Sequence, residues 1–269
     1  MESTRLKNII ILILALLNMF LLGSLLYRIE VSHSSYQRAA EQLVELLAAD
    51  QVTLDESVIS TKTPPAGRAL SRSTAQEQAL ASSFLKGSLA FTDQGGGIYH
   101  YSNQVGAALF RSNGTFDIVG TQISEDVESF CRKFCRENDY KDLAFELDAD
   151  GNGTATAVRY YDGYPVFNCT ITFTIESDGI TRVSGTYLPG TAEETVSQST
   201  PLSAMAALTA FLDMRRESGG VQCTITDMYL CYELQTSAAS SMTLTPAWCI
   251  VTDTSVYYVN CYTSVVTHS

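Results

Sequence analysis

The apolar run from Ile9 to Leu26 constrains this chain more than any other feature. Only Asn18, Gly23 and Ser24 interrupt it. As a helix rising roughly 1.5 Å per residue it would be about 27 Å long, close to a hydrocarbon core of roughly 30 Å. Everything after Tyr27 is far more polar. The expected organisation is one membrane anchor carrying a large aqueous domain. Arg5 and Lys7 lie in the short tail before the run, so the positive-inside rule keeps the N-terminus in the cytoplasm and the large domain outside. Neither an A-x-A cleavage site nor a Cys follows the run, which favours an uncleaved anchor over a signal peptide. Within the span, the Asn18 amide needs a partner in hydrocarbon. Ala15, Asn18, Leu22 and Gly23 share one helix face, and the small residues allow close approach. This face is the candidate transmembrane interaction surface. The competing reading is that Asn18 bonds to its own backbone.

Charge narrows the partners. Seventeen Lys and Arg stand against 29 Asp and Glu, a formal charge of −12. Such a surface repels nucleic acid and anionic headgroups, so nucleic-acid binding is set aside. The 14 Tyr and abundant Ser and Thr suit a β-rich domain. The seven Cys are Cys131, Cys135, Cys169, Cys223, Cys231, Cys249 and Cys261. An odd count forbids complete internal pairing, and the spacings lack the His and Cys pattern of a zinc site. Buried free thiols are expected, with one or two disulfides among the last four Cys as the alternative.

Three stretches repeat one order: a helix, then short strands. A helical pattern over Ser34–Asp50 is expected to continue outward as a stalk, followed by a short extended segment and a linker containing Pro64, Pro65 and Gly67. Thr74-Ala-Gln-Glu77 has the form of a capping box. Three strands are expected after that helix, at Gly97–Ser102, Val105–Arg111 and Thr115–Val119. Ser124 opens a second helix with Val127, Phe130, Cys131, Phe134 and Cys135 on one stripe. Strands follow at 143–147, 154–161, 166–175 and 180–188, with turns at Asp162-Gly163 and Asp178-Gly179. A polar linker, GTAEETVSQST, leads to a third helix from Ser203 to the Gly219-Gly220 stop. Strands are then expected at 224–234, 246–252 and 255–261. These breaks divide the chain into tail and anchor (1–29), juxtamembrane helix and linker (30–72), and three helix-plus-strand units (73–122, 123–190 and 198–269).

Reactive motifs are scarce. Asp148-Ala-Asp150-Gly-Asn152-Gly153 copies the first half of an EF-hand loop, but position twelve is Arg159 where a bidentate Glu is needed. A hairpin turn is the stronger reading there. Of the three His, only His100 falls in a structured region. No nucleophile elbow, H-E-x-x-H or phosphate loop is present. No catalytic, cofactor-binding or metal-binding residue is therefore assigned, and no cofactor is expected. Asn113, Asn152 and Asn168 open N-x-T triplets, which turn chemistry also explains.

Two strand pairs carry a resemblance. The first is Tyr160-Tyr-Asp-Gly-Tyr-Pro-Val-Phe167 with Asp178-Gly-Ile and Tyr187. The second is Pro246-Ala-Trp-Cys-Ile-Val251 with Tyr257-Tyr-Val-Asn260. With the Arg5–Ile11 anchor start, they resemble the YycH/YycI regulators of Gram-positive bacteria, closest to YycI, and share elements with PepSY-type domains. The resemblance implies an α+β fold: a single N-terminal transmembrane helix, then an extracellular domain of antiparallel sheets packed on helices in PepSY-like helix-plus-meander units. It implies a non-enzymatic regulator of a WalK (YycG) sensor kinase controlling cell-wall metabolism, sited at the cell membrane, with a YycH-type protein as a further partner. The alternative function is a PepSY-type binding or inhibitory module for an extracytoplasmic peptidase or peptidoglycan enzyme.

Overall fold

The fold is seen in a computed structural model that describes residues 14, 17–22, 24, 35–123, 126–176, 179–188, 192–194, 200–236 and 242–268. Residues 14, 17–22 and 24 are helical, and Leu14, Leu17, Met19, Phe20, Leu21 and Leu22 are exposed. Among the described residues no helix is long and apolar enough to cross a membrane. Much of the expected span Ile9–Leu26 lies outside the described residues.

Helix α1 (35–49) leads into β1 (Val52–Leu54) and a 3-10 turn at Glu56–Val58. A strap then reaches β2 (Arg68–Leu70). Helix α2 (Thr74–Phe84) is followed by β3 (Ala90–Asp93), β4 (Tyr99–Ser102), β5 (Ala107–Phe110) and β6 (Thr115–Ile123). Helix α3 (Val127–Glu137) is followed by β7 (Tyr140–Leu147), β8 (Gly153–Tyr161), β9 (Tyr164–Glu176) and β10 (Gly179–Thr186). After β11 (Ala192–Glu194) come α4 (Ala204–Ser218), β12 (Cys223–Thr236), β13 (Met242–Thr252), β14 (Val256–Asn260) and β15 (Val266–His268). The chain is thus mixed α+β, and each of α2, α3 and α4 precedes a four-stranded antiparallel meander.

The meanders join edge to edge. Strands β6 and β10 pair antiparallel, so β3-β4-β5-β6-β10-β9-β8-β7 form one broad N-terminal sheet. An Arg182–Asp117 ion pair at 2.6 Å crosses that seam. The C-terminal sheet runs β15-β14-β13-β12-β1, with β1 parallel to β12. The two sheets meet at a single parallel bridge, Val166 on β9 with Tyr232 on β12. Strand β2 pairs with β13 and with β11, where the sequence suggested only a linker.

Helices cover one face of each sheet. Ala81, Phe84, Cys131, Phe134 and Cys135 meet Ala155, Ala157, Ile171 and Phe173 in the N-terminal core. Ala40, Leu43 and Leu47 of α1 join Ala207, Leu208, Phe211 and Leu212 of α4 over Trp248 and Ile250. The expected stalk is corrected here. The α1 face at i, i+3 and i+7 is buried in the C-terminal core, and Arg216 of α4 pairs with Asp50 at 2.6 Å. The first meander has four strands, not three. Strand β3 is exposed throughout, so it carried no alternation to read.

The helix ends follow local chemistry. Ser203 caps α4 by accepting from Ala206 N–H, and Gly219 closes it in the left-handed region at φ 68°. Asp126 caps α3 by accepting from Ser129 N–H, whereas Ser124, expected in that place, lies outside the described residues. The expected Thr74–Glu77 capping box is not formed. Ser73, not Thr74, is the cap, which moves Glu77 from the third helical position to the fourth and turns it inward.

Candidate functional site

The loop that builds the site is a two-residue hairpin. Asp162 (φ 49°) and Gly163 (φ 84°) both lie in the left-handed region, as a type I′ turn requires. Tyr161 pairs with Tyr164 across it. Alternation then sends aromatic side chains to opposite faces. Tyr161 and Tyr164 make edge contacts with Tyr232 at 5.8 and 6.0 Å between centroids. Tyr232 donates its hydroxyl to the Ala66 carbonyl at 3.0 Å, fixing the strap. Tyr160 and Phe167 enter the other side of the junction.

That side is a cleft of about 430 Å³ where the two sheets meet, within the usual size range of ligand sites. Tyr160, Tyr164, Pro165 and Phe167 come from the N-terminal sheet, Tyr229, Cys231 and Tyr258 from the C-terminal sheet, and Lys62 from the strap. Phe167 and Tyr258 stack face to face at 3.7 Å and 9°. Tyr160 donates to Asp142 Oδ2 at 2.8 Å, and Lys141 Nζ sits 4.6 Å from its ring centre. Beneath the stack, Cys231, Ala247 and Cys249 form a small cluster on the sheet face opposite Trp248.

The electrostatics keep the Tyr160, Tyr229 and Cys231 donors neutral. Burial, then the hydrogen bond to Asp142, pushes Tyr160 up to about 12. Burial, then the hydrogen bond to Cys249, raises Tyr229 further. Burial, then neighbouring Cys249 and Cys261, holds the Cys231 thiol well above its ordinary value. Cys231 is thus a protonated donor, bonded to the Ala247 carbonyl at 3.4 Å, not a thiolate nucleophile. Stacking surfaces, neutral hydroxyls and one charge of each sign, on Lys62 and Asp142, make this arrangement suited to binding.

The junction also holds the asparagine of a glycosylation triplet. Asn168 Nδ2 donates to the Leu234 carbonyl and Asn168 Oδ1 accepts from Leu234 N–H, both at 2.8 Å. Its amide stands in for a peptide group between β9 and β12. Asn113 accepts from Thr115 in the β5–β6 turn. Asp148 Oδ1 accepts from Asp150 and Asn152 N–H in the β7–β8 hairpin, the turn reading of the EF-hand-like segment. All seven Cys are buried and free. Asn18 and Leu22 are helical and exposed, while Ala15 and Gly23 lie outside the described residues.

Sequence reading missed the buried ion pair. Glu77, fully buried, meets Arg72 Nε at 2.5 Å, Tyr101 Oη at 3.2 Å and the Tyr187 hydroxyl. Arg72 continues to the Gly97 carbonyl at 2.6 Å and lies 3.7 Å over the Tyr99 ring. The five-residue Arg72–Glu77 spacing signals nothing alone; the Tyr surplus was the available hint.

Compared with known families, residues 31–262 match the YycI protein family. The chain belongs to the YycI family. The two strand pairs that carried the resemblance, far apart in this YycI-family chain, supply Tyr160, Tyr164, Pro165, Phe167 and Tyr258 to one cleft. No curated protein matches the chain. Among solved structures it is similar to an uncharacterized protein from Eubacterium rectale, at 12% identity and TM-score 0.45, covering 87% of this chain and 94% of that one. It is also similar to the YpeB C-terminal domain of Bacillus megaterium, at 13% identity and TM-score 0.35, covering 74% and 99%.

Proposed function

We propose that this YycI-family protein is a membrane-anchored, non-enzymatic regulator of a WalK-type sensor kinase controlling cell-wall metabolism. Its N-terminus lies in the cytoplasm, Ile9–Leu26 spans the membrane once, and the rest lies outside: a juxtamembrane helix and linker (30–72), a helix-plus-strand unit (73–122) and two PepSY-like units (123–190 and 198–269). A YycH-type protein is the further partner. Family membership supports the regulatory role. The exposed apolar side chains of Leu14, Leu17, Met19, Phe20, Leu21 and Leu22 support the anchor, since lipid would cover them.

The observation that carries the reading is the seating of α1. The helix that follows the anchor is packed into the C-terminal core, with Ala40 and Leu47 fully buried. A displacement of that core would therefore move α1, the described helix that follows the anchor in sequence. The candidate face Ala15, Asn18, Leu22 and Gly23 would transmit it to the kinase through close packing and a hydrogen bond.

The test is co-purification of the kinase, in one detergent, with the wild-type chain and with Asn18→Leu/Gly23→Leu. A partial loss is expected, because an interhelical hydrogen bond in a membrane is worth about 0.6–2 kcal/mol. If an unrelated anchor of equal length captures the kinase equally well, the helix is only a tether. The alternative as a binding module for an extracytoplasmic enzyme then takes over.

A further inference from the structure

One stretch of β12 has no strand beside it. One edge is paired with β13 from Ile225 to Thr236. On the other edge, β1 covers Cys223–Ile225 and β9 meets β12 at Tyr232. Among the described residues no strand pairs with 226–231 on that edge. The strap crosses the gap without a backbone hydrogen bond to these residues and lends only Lys62 to the cleft.

The direction of the peptide groups can be fixed. Leu234 turns both its N–H and its C=O toward β9, where Asn168 takes them. Every second residue of a strand faces the same edge, so Tyr232 and Leu230 face it too. Met228 does likewise, but the Asp227 side chain accepts its N–H at 2.8 Å. The Leu230 side chain is packed beneath the sheet with Trp248 and Ile250. What Leu230 gives the cleft wall is therefore main chain.

Pro165 explains why the ladder stops. In the register Val166 with Tyr232, a continued parallel ladder would serve the Leu230 carbonyl from the N–H of residue 165. Proline has none. The sheets part at this point, and the cleft opens beside the unpaired main chain, floored by Tyr229, Tyr258, Phe167 and Tyr160.

We propose that this cleft is a peptide site. An extended segment of a partner protein lies along 226–231 as an added strand, bonds its main chain to Leu230, and sets alternate apolar side chains on Tyr160, Phe167, Tyr229 and Tyr258. Strand addition gives affinity through main-chain bonds and selectivity through the alternating side chains. With Lys62 and Asp142 placing opposite charges at the rim, the fitting segment is uncharged and apolar. This inference does not depend on the kinase reading.

The experiment pans a displayed decapeptide library against the full chain in detergent micelles, then measures the most enriched peptide by fluorescence anisotropy. Tyr229 is an exposed side chain, so Tyr229→Ala should keep the fold, which the melting curve checks. Binding should weaken about tenfold in this variant, the usual scale for truncating an aromatic contact residue. N-methylation along the peptide should weaken binding at alternate positions only, because a strand donates with period two. Failure to enrich any peptide overturns the proposal. So does binding that ignores Tyr229→Ala, or an N-methyl profile without alternation.

Discussion

Trp248 is the most direct test of how the C-terminal core holds α1. It is fully buried in β13 and paired with Leu230 and Val259 on the adjoining strands. Its Nε1–H donates to the Leu202 carbonyl at 2.9 Å, just before the Ser203 cap of α4. Burying roughly 200 Å² of indole at about 25 cal/mol per Å² gives an upper bound near 5 kcal/mol. Alanine keeps a small part of that area and leaves a cavity, so Trp248→Ala should cost about 3–5 kcal/mol. Trp248→Phe keeps most of the area but strands the Leu202 carbonyl, at about 1–3 kcal/mol. The difference separates packing from the hydrogen bond. This is the chain's only Trp, so urea unfolding must be followed by circular dichroism. A cost below about 1 kcal/mol for Trp248→Ala would refute the packing argument.

Other expectations follow from the same geometry. Glu77→Gln leaves Arg72 without its counter-charge in a largely buried site, and thermal melts should show a loss of about 3–5 kcal/mol. Asn168→Ala removes both bonds to Leu234 and should speed amide exchange at β12 near Leu234, with about 1–3 kcal/mol of lost stability. Burial raises Cys131 to about 12 and Cys135 to about 11. Their neutral forms are favoured in the fold, so that contribution is complete below about pH 8.5, the unfolded thiol value. It is lost as pH rises through the raised values. Stability measured from pH 8 to 11 should fall, and a thiol reagent at pH 8 should label seven Cys only after denaturant is added. For topology, an impermeant thiol label on intact cells should mark Ser34→Cys and miss Ser3→Cys; the reverse would overturn the proposed orientation.

Much of the architecture was legible locally. The α3 stripe of Cys131, Phe134 and Cys135, the Ser203 and Gly219 limits of α4, and the Asp162-Gly163 turn all depend on short-range periodicity or backbone preference. Local signals failed where the partner was distant. Strand β3 has no buried face to reveal it. The β2–β11 pairing joins segments more than a hundred residues apart. Glu77 looked like a cap because its spacing fits one, while its partners Tyr101 and Tyr187 arrive from β4 and the end of β10.

The class is written in local pattern: an apolar N-terminal run, an acidic remainder and a helix repeatedly followed by a meander. Residue spacing encodes those features, since helix and strand periods are properties of the local backbone. It also marked Tyr160–Phe167 and Pro246–Asn260 as distinctive without saying what they do. Long-range packing alone places α1 in the C-terminal core, sets Asn168 in place of a peptide group between two sheets, and ends the ladder at Pro165 beside Leu230. Each depends on which distant strand lies alongside, and that is set by the packing of whole sheets against their helices, to which no short window of sequence has access.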